Sequence, residues 1–160
     1  MATDERPAVV AFDGSDEARA AVSTAVALFP GRRLVIVSVW EPGLALALSP
    51  TRDMSGVGYP PPSAAEVEAL DHVQHDHAVE VADEGVALAR GLGATADPDP
   101  IADEADVADT IAAVAERVDA CAIVVGTRGL GRMRSRLFGS TSRDVLRHTR
   151  RPVLVVKAPS

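Results

Sequence analysis

Two short stretches of the 160-residue chain combine glycines with groups able to hold an anion. Gly126-Thr127-Arg128-Gly129-Leu130-Gly131 follows an apolar run, and Gly139-Ser140-Thr141-Ser142 comes eight residues later. Glycines let backbone N–H groups approach an anion closely. Gly139-Ser140 stands where a helix should begin, and the first N–H groups of a helix are unpaired and partially positive. Ser140, Thr141 and Ser142 add hydroxyl donors, so the segment reads as a phosphate cradle at a helix N-terminus. A third stretch, Asp13-Gly14-Ser15, ends the first apolar run with a carboxylate. The loop is not a P-loop: Gly-x4-Gly-Lys occurs nowhere, and the sole lysine is Lys157. Nor does Gly-x-Gly-x-x-Gly follow the first apolar run, so the dinucleotide fingerprint is missing.

These stretches need a scaffold, and the apolar pattern supplies one. Ala8–Phe12 is nearly all apolar, as a parallel strand buried on both faces should be. Ser15 can cap a helix over about Asp16–Phe29, with Asp16 and Glu17 in its positive first turn and Val22, Ala25, Val26 and Phe29 turned inward. Leu34–Trp40 is the clearest strand. Glu41–Pro62 is rich in proline and glycine and has no steady period, which marks a functional or mobile connection. Ser63-Ala64-Ala65-Glu66 predicts a capping box and a helix of about 25 residues ending near Gly91 and Gly93. Ala94–Ala102 is expected to be a strand, but Pro98 and Pro100 restrict it to a sheet edge or a poor strand. A helix over Ala105–Val118, a buried strand from Cys121 to Val125, a helix over Ser140–His148 and a strand over Pro152–Val156 complete the series. Alternating strands and helices with right-handed crossovers predict a single α/β domain with a five-stranded parallel sheet, order 3-2-1-4-5, and helices on both faces. Such sheets bind ligands past the carboxyl ends of their strands, where the strand order reverses.

The spacing Gly126-x2-Gly129-x9-Gly139-Ser140, before the last helix and strand, resembles the ATP-binding motif of the universal stress protein family. Val9–Ser15 resembles that family's opening strand and aspartate, and His148–Val156 its closing segment. The likeness spans the chain but is poor from Glu41 to Ile101. The resemblance implies ATP held between the first and fourth strands, commonly with a divalent ion such as Mg2+ or Mn2+. It places Asp13 at the adenosine end, Ala11 and Val39 as walls of the adenine site, and Gly126 and Gly129 beneath ribose and α-phosphate. Gly139, Ser140 and Ser142 match the outer phosphate contacts, with Thr141 between them. It also implies a homodimer through the final strand, residues 152–156. That apolar edge needs cover on physical grounds as well.

Among the remaining polar residues, Arg128, Arg132, Arg134 and Arg136 lie in the glycine loop. They read either as solvated charges or as neutralisers of a polyphosphate, with Arg128 the best placed. No reading helix or aromatic platform accompanies them, so specific nucleic-acid binding is not expected. His72, His75 and His77 share the long helix with Asp71 and Asp76, but no His-Glu-x-x-His signature is present, and a polar helix face is the better reading. His77 is expected to be half-buried, in line with Leu70, Val81 and Leu88. Cys121 reads as a small hydrophobe. Trp40 either stacks on the base or anchors the loop that follows. No nucleophile elbow or second carboxylate beside Asp13 is evident, so binding is better indicated than catalysis. A slow ATPase and a module for AMP or cyclic AMP are the alternatives.

Composition bounds the rest. Apolar residues make up 47% of the chain, mostly Ala and Val, and only 3% are aromatic. That suits a packed α/β domain and not a disordered chain. A lone cysteine excludes an internal disulfide, no apolar run is long enough to span a membrane, and the N-terminus lacks a signal pattern, so a cytoplasmic location is expected. The net charge of −7 is uneven: residues 128–157 hold nine of the 16 basic residues and one acid, Asp144. A small polyanion is therefore acceptable at that one segment of an acidic chain.

Overall fold

A computed structural model describes residues 5–43, 61–103, 106–127 and 140–158, with side chains of the last stretch from Arg143 onward. Nine elements follow in order: β1 (Ala8–Ala11), α1 (Asp16–Leu28), β2 (Leu34–Trp40), α2 (Ala64–Gly91), β3 (Ala96–Ala102), α3 (Val107–Arg117), β4 (Ala122–Gly126), α4 (Ser140–His148) and β5 (Val153–Val156). The strands form one sheet in the order β3-β2-β1-β4-β5, and every neighbouring pair is parallel. This is the expected topology.

Each face of the sheet carries its own core. Val10, Phe12, Leu34 and Ile36 pack with Val22 and Ala25 of α1 and Val86 and Ala89 of α2. Val9, Val35, Val37 and Ile123 pack with Ile111 and Val114 of α3 and Val145 of α4. β1 lies in the middle and all four of its residues are buried, so its apolar run has no alternation, as a doubly covered parallel strand requires. Val26 and Phe29 are only partly buried at the rim of the first core, and Cys121 packs there too, one residue before its strand begins.

The capping devices read from the sequence are present. Ser15 Oγ accepts from the Ala18 N–H, and Ser63 with Glu66 forms a complete capping box. Asp106 caps α3 by accepting from the Ala108 N–H at 2.7 Å. The proline-bearing strand β3 is an edge strand of seven residues in full register with β2. Leu34 donates to the Thr95 carbonyl and Asp103 donates to that of Trp40. Odd-numbered residues therefore face β2, and the nitrogens of Pro98 and Pro100 fall on the outer edge, where no ladder bond is lost. At Gly85 a Cβ would lie 2.7 Å from Ile36 Cγ2 and 2.9 Å from Phe12 Cδ1, which is why α2 can sit so close to the sheet.

Arg151 fastens the start of β5 to the turn after α3. Its guanidinium donates to both Glu116 oxygens (2.7 and 3.1 Å), to Asp119 at 2.6 Å and to the Ala120 carbonyl at 3.0 Å. The Arg151 hydrogen bond lowers the Glu116 carboxyl below its ordinary value, more than desolvation raises it. A carboxyl with a depressed folded-state pKa contributes stability above its unfolded pKa and loses it as pH falls through the folded value. Arg151→Ala should therefore lower Tm by a few degrees at neutral pH. The gap from the unsubstituted protein should close as pH drops below the ordinary carboxylate range, which thermal melts at pH 7 and pH 3.5 would show.

Candidate functional site

The order β3-β2-β1-β4-β5 reverses between β1 and β4, because the chain winds outward from β1 to β3 and then returns to the other side of β1. A crevice at that point opens past the carboxyl ends of the strands. Register aligns the candidate residues there. Ala11 pairs with Val37 and Val10 with Val124, and the Phe12 N–H still donates to the Val37 carbonyl at 2.8 Å. Continuing that alignment brings Asp13 level with Val39 on one side and with Thr127, next to Gly126, on the other.

Asp13 is half-buried, and its Oδ1 accepts the Ser15 N–H at 3.0 Å. This Asx turn, with Gly14 at φ +78°, swings the chain off β1 and into the capped start of α1. Ala11 is 4% exposed and belongs to the core on the α3 side, so its side chain is packed into the interior at the strand end. Val39 is half-buried on the same face, packed against that core.

Gly126 is the last residue of β4. A Cβ there would lie 2.8 Å from Glu17 Cβ, 2.9 Å from Glu17 C and 3.0 Å from Glu17 O. The first turn of α1 thus presses directly on the strand end, and only glycine leaves room for it. This packing duty was not anticipated in the sequence, where the glycine reads as part of an anion loop. The signal available was its place at the very end of an apolar strand, where glycine marks close backbone approach. Just beyond it, the Thr127 N–H donates to the Val156 carbonyl at 2.8 Å and extends the β4–β5 ladder.

Ser140 is the first residue of α4, with Thr141 and Ser142 in the same first turn. The helix is anchored by Val145, which is fully buried, and by a 2.6 Å contact from His148 Nδ1 to Asp109. Arg128, Gly129 and Gly139 lie outside the described residues, as do Arg132, Arg134 and Arg136. The Trp40 side chain lies against α2. Its ring meets that of His75 on α2 edge-on, with centroids 5.8 Å apart. Gln74 donates to the Glu41 carbonyl at 3.3 Å, and Asp71 accepts the Gly43 N–H at 2.8 Å. Trp40 and the residues after it are therefore fastened to α2, which favours the anchoring role. His77 is exposed, not half-buried, because burial on α2 begins only at Ala78.

The arrangement offers a carboxylate at the end of β1, a reversal of strand order between β1 and β4, and the N-terminus of a helix that follows the fourth strand. A model of the universal stress protein family matches residues 5–157. The chain belongs to this family. Stress response protein NhaX of Bacillus subtilis is 28% identical to it over 161 residues, covering 93% of this chain and 96% of the relative. Among solved structures, a universal stress protein from Archaeoglobus fulgidus in complex with dAMP is 26% identical. It aligns over 95% of this chain and 98% of its own, with a TM-score of 0.64. A universal stress protein family member from Burkholderia pseudomallei is also 26% identical, over 98% of both chains, with a TM-score of 0.66. The five-stranded parallel sheet with helices on both faces is the universal stress protein fold.

Proposed function

We propose that this universal stress protein binds an adenine nucleotide, ATP in the first instance, in the crevice between β1 and β4, and acts as a nucleotide-dependent regulator of the stress response. The observation that carries the reading is the alignment of Asp13, Val39 and Gly126 across adjacent carboxyl ends, with the helix that begins at Ser140 following the fourth strand. Asp13 accepts hydrogen bonds from the ribose or the base. The unpaired N–H groups of α4 and the hydroxyls of Ser140, Thr141 and Ser142 receive the phosphates, with Gly129, Gly139 and Arg128 completing the loop. The residues fit such a ligand, since a helix N-terminus favours an anion by about 0.3–1 kcal/mol, more when partly buried. A divalent ion, Mg2+ or Mn2+, accompanies the phosphates and offsets their charge. The protein is a cytoplasmic homodimer in this reading. β5 pairs only with β4 among the described residues, and Val153, Leu154 and Val155 are half-buried along that outer edge. No described helix is long and apolar enough to cross a membrane.

A second reading, a mononucleotide such as AMP or cyclic AMP as the natural ligand, is favoured by the dAMP complex of the Archaeoglobus relative. Calorimetric titration of ATP, AMP and cyclic AMP into protein freed of co-purified nucleotide separates the two. Saturable heat is expected, with ATP tightest on the first reading and a monophosphate tightest on the second. No heat from any of the three at protein concentrations of tens of micromolar overturns adenine-nucleotide binding altogether.

A further inference from the structure

The helix that would receive the phosphates has a slight hold on the core. Among its described side chains, Arg143 to His148, Val145 alone is buried, and Leu146 is 53% exposed. α3, by contrast, puts Ala108, Ile111 and Ala115 fully into the core. One buried side chain fixes a point on a helix but not the direction of its axis. A second contact on the same face is needed to stop the helix pivoting about Val145. His148 stands three residues further on, on that face. Its Nδ1 lies 2.6 Å from Asp109 Oδ1.

Asp109 is itself held in a well-anchored place. It belongs to the first turn of α3, which Asp106 caps by accepting the Ala108 N–H at 2.7 Å. The Asp106 carboxylate also comes within 4.8 Å of His148, but it is engaged as the cap. Beside Asp109, Thr110 Oγ1 donates to Asp103 Oδ1 at 3.1 Å, and the Asp103 N–H donates to the Trp40 carbonyl at 2.7 Å. Trp40 follows Val39 at the carboxyl end of β2. A run of contacts therefore leads from the end of β2, through the first turn of α3, to the last turn of α4. In the nucleotide reading, Val39 walls the base and the first turn of α4 receives the phosphates. The first turn of α3 is then the strut that spaces the two ends of the ligand site.

We propose that Asp109 and His148 are positioning residues for phosphate binding, their contact setting the axis of α4. The helix N–H groups and the hydroxyls of Ser140, Thr141 and Ser142 then meet the phosphates while Asp13 and Val39 hold the nucleoside. The inference rests on the nucleotide reading above and adds a division within it. Affinity for the phosphates depends on the clasp, and affinity for the nucleoside does not. An exposed ion pair contributes little to stability by itself, so its loss should redirect α4 more than it lowers Tm.

The test is calorimetric titration of ATP and of adenosine into the full chain freed of co-purified nucleotide. His148→Ala and Asp109→Ala should each weaken ATP about three- to tenfold, as loss of one coupled contact does, and leave adenosine within about twofold. The double variant should bind ATP no more weakly than either single one, since both remove the same contact. His148→Asn keeps an N–H donor near the place of Nδ1, and Asp109→Asn keeps an oxygen to accept it. Each should therefore restore most of the lost ATP affinity. A merely structural role would weaken ATP and adenosine together. Both side chains are exposed, and ligand-free melting curves will confirm that each variant folds. An ATP-to-adenosine affinity ratio unchanged in the alanine variants overturns the proposal and leaves nucleotide binding intact. Losses that add fully in the double variant overturn it too. Absence of ATP binding by the unsubstituted protein is a distinct result, which removes the nucleotide reading and this inference together.

Discussion

Replacing Asp13 with alanine is expected to weaken adenine-nucleotide binding about 10- to 100-fold, since a hydrogen bond to a charged group contributes about 1.5–3 kcal/mol. The argument begins with the turn. Asp13 follows directly on the buried β1 run and its Oδ1 receives the Ser15 N–H at 3.0 Å, so the carboxylate is held at the strand end by local structure. It stands level with Val39 and Thr127 by register, at the point where the strand order reverses. A carboxylate is an acceptor, and the hydroxyls or amino group of a nucleoside are donors that suit it. Alanine also removes the turn acceptor, so part of any loss would come from a displaced α1 start. Asp13→Asn separates the two effects. Asparagine retains an oxygen for the Ser15 N–H and should leave Tm nearly unchanged, while the loss of charge should still reduce affinity several-fold. Calorimetric titration of AMP and ATP against the three proteins gives the comparison. Unaltered affinity in both variants would remove Asp13 from the site.

How far the sequence disclosed this site depends on what kind of information each residue carries. β1, β2 and α1 were legible because their signals are local: an all-apolar run for a doubly covered strand, then Ser15 with two acids after it. β3 was ambiguous, since Pro98 and Pro100 conflict with a central strand. The ambiguity ends once the register puts both prolines, at even positions of β3, on the side away from β2, at the outer edge. His77 was placed wrongly by helical periodicity alone. Periodicity tells which residues share a face, but not where along α2 the sheet ceases to cover that face, and burial starts only at Ala78. Trp40 had two readings from the sequence, and its partner, His75, is 35 positions away in the chain, so only the fold could choose between them. Nothing local announces that Glu17 meets Gly126 or that Phe12 and Ile36 meet Gly85. These are contacts between elements distant in sequence, and a glycine's neighbours are not written beside it.

Gly126 supplies the other large expected effect. Gly126→Ala should destabilise the protein by about 1–3 kcal/mol, the usual cost of overpacking a filled site. For a chain of this size that corresponds to a fall in Tm of roughly 3–10 °C. The reason is that the added methyl would meet Glu17 C at 2.9 Å and Glu17 O at 3.0 Å, both backbone atoms, besides Glu17 Cβ at 2.8 Å. A flexible side chain could turn aside, but here the first turn of α1 must move as a unit. Ser15 caps that turn, and Ser15 is also the donor to Asp13. Displacing α1 therefore displaces the carboxylate across the crevice, and nucleotide affinity should fall along with stability. Saturating nucleotide raises Tm according to its concentration relative to Kd, so the same AMP concentration should stabilise Gly126→Ala less than the unsubstituted protein. The two roles of this glycine predict different results in the absence of ligand. If it were needed only for close approach of a nucleotide, the ligand-free melting curve would be unchanged by alanine and only the AMP-induced shift would shrink. If it makes room for α1, the ligand-free Tm itself drops, and that drop is the expected observation.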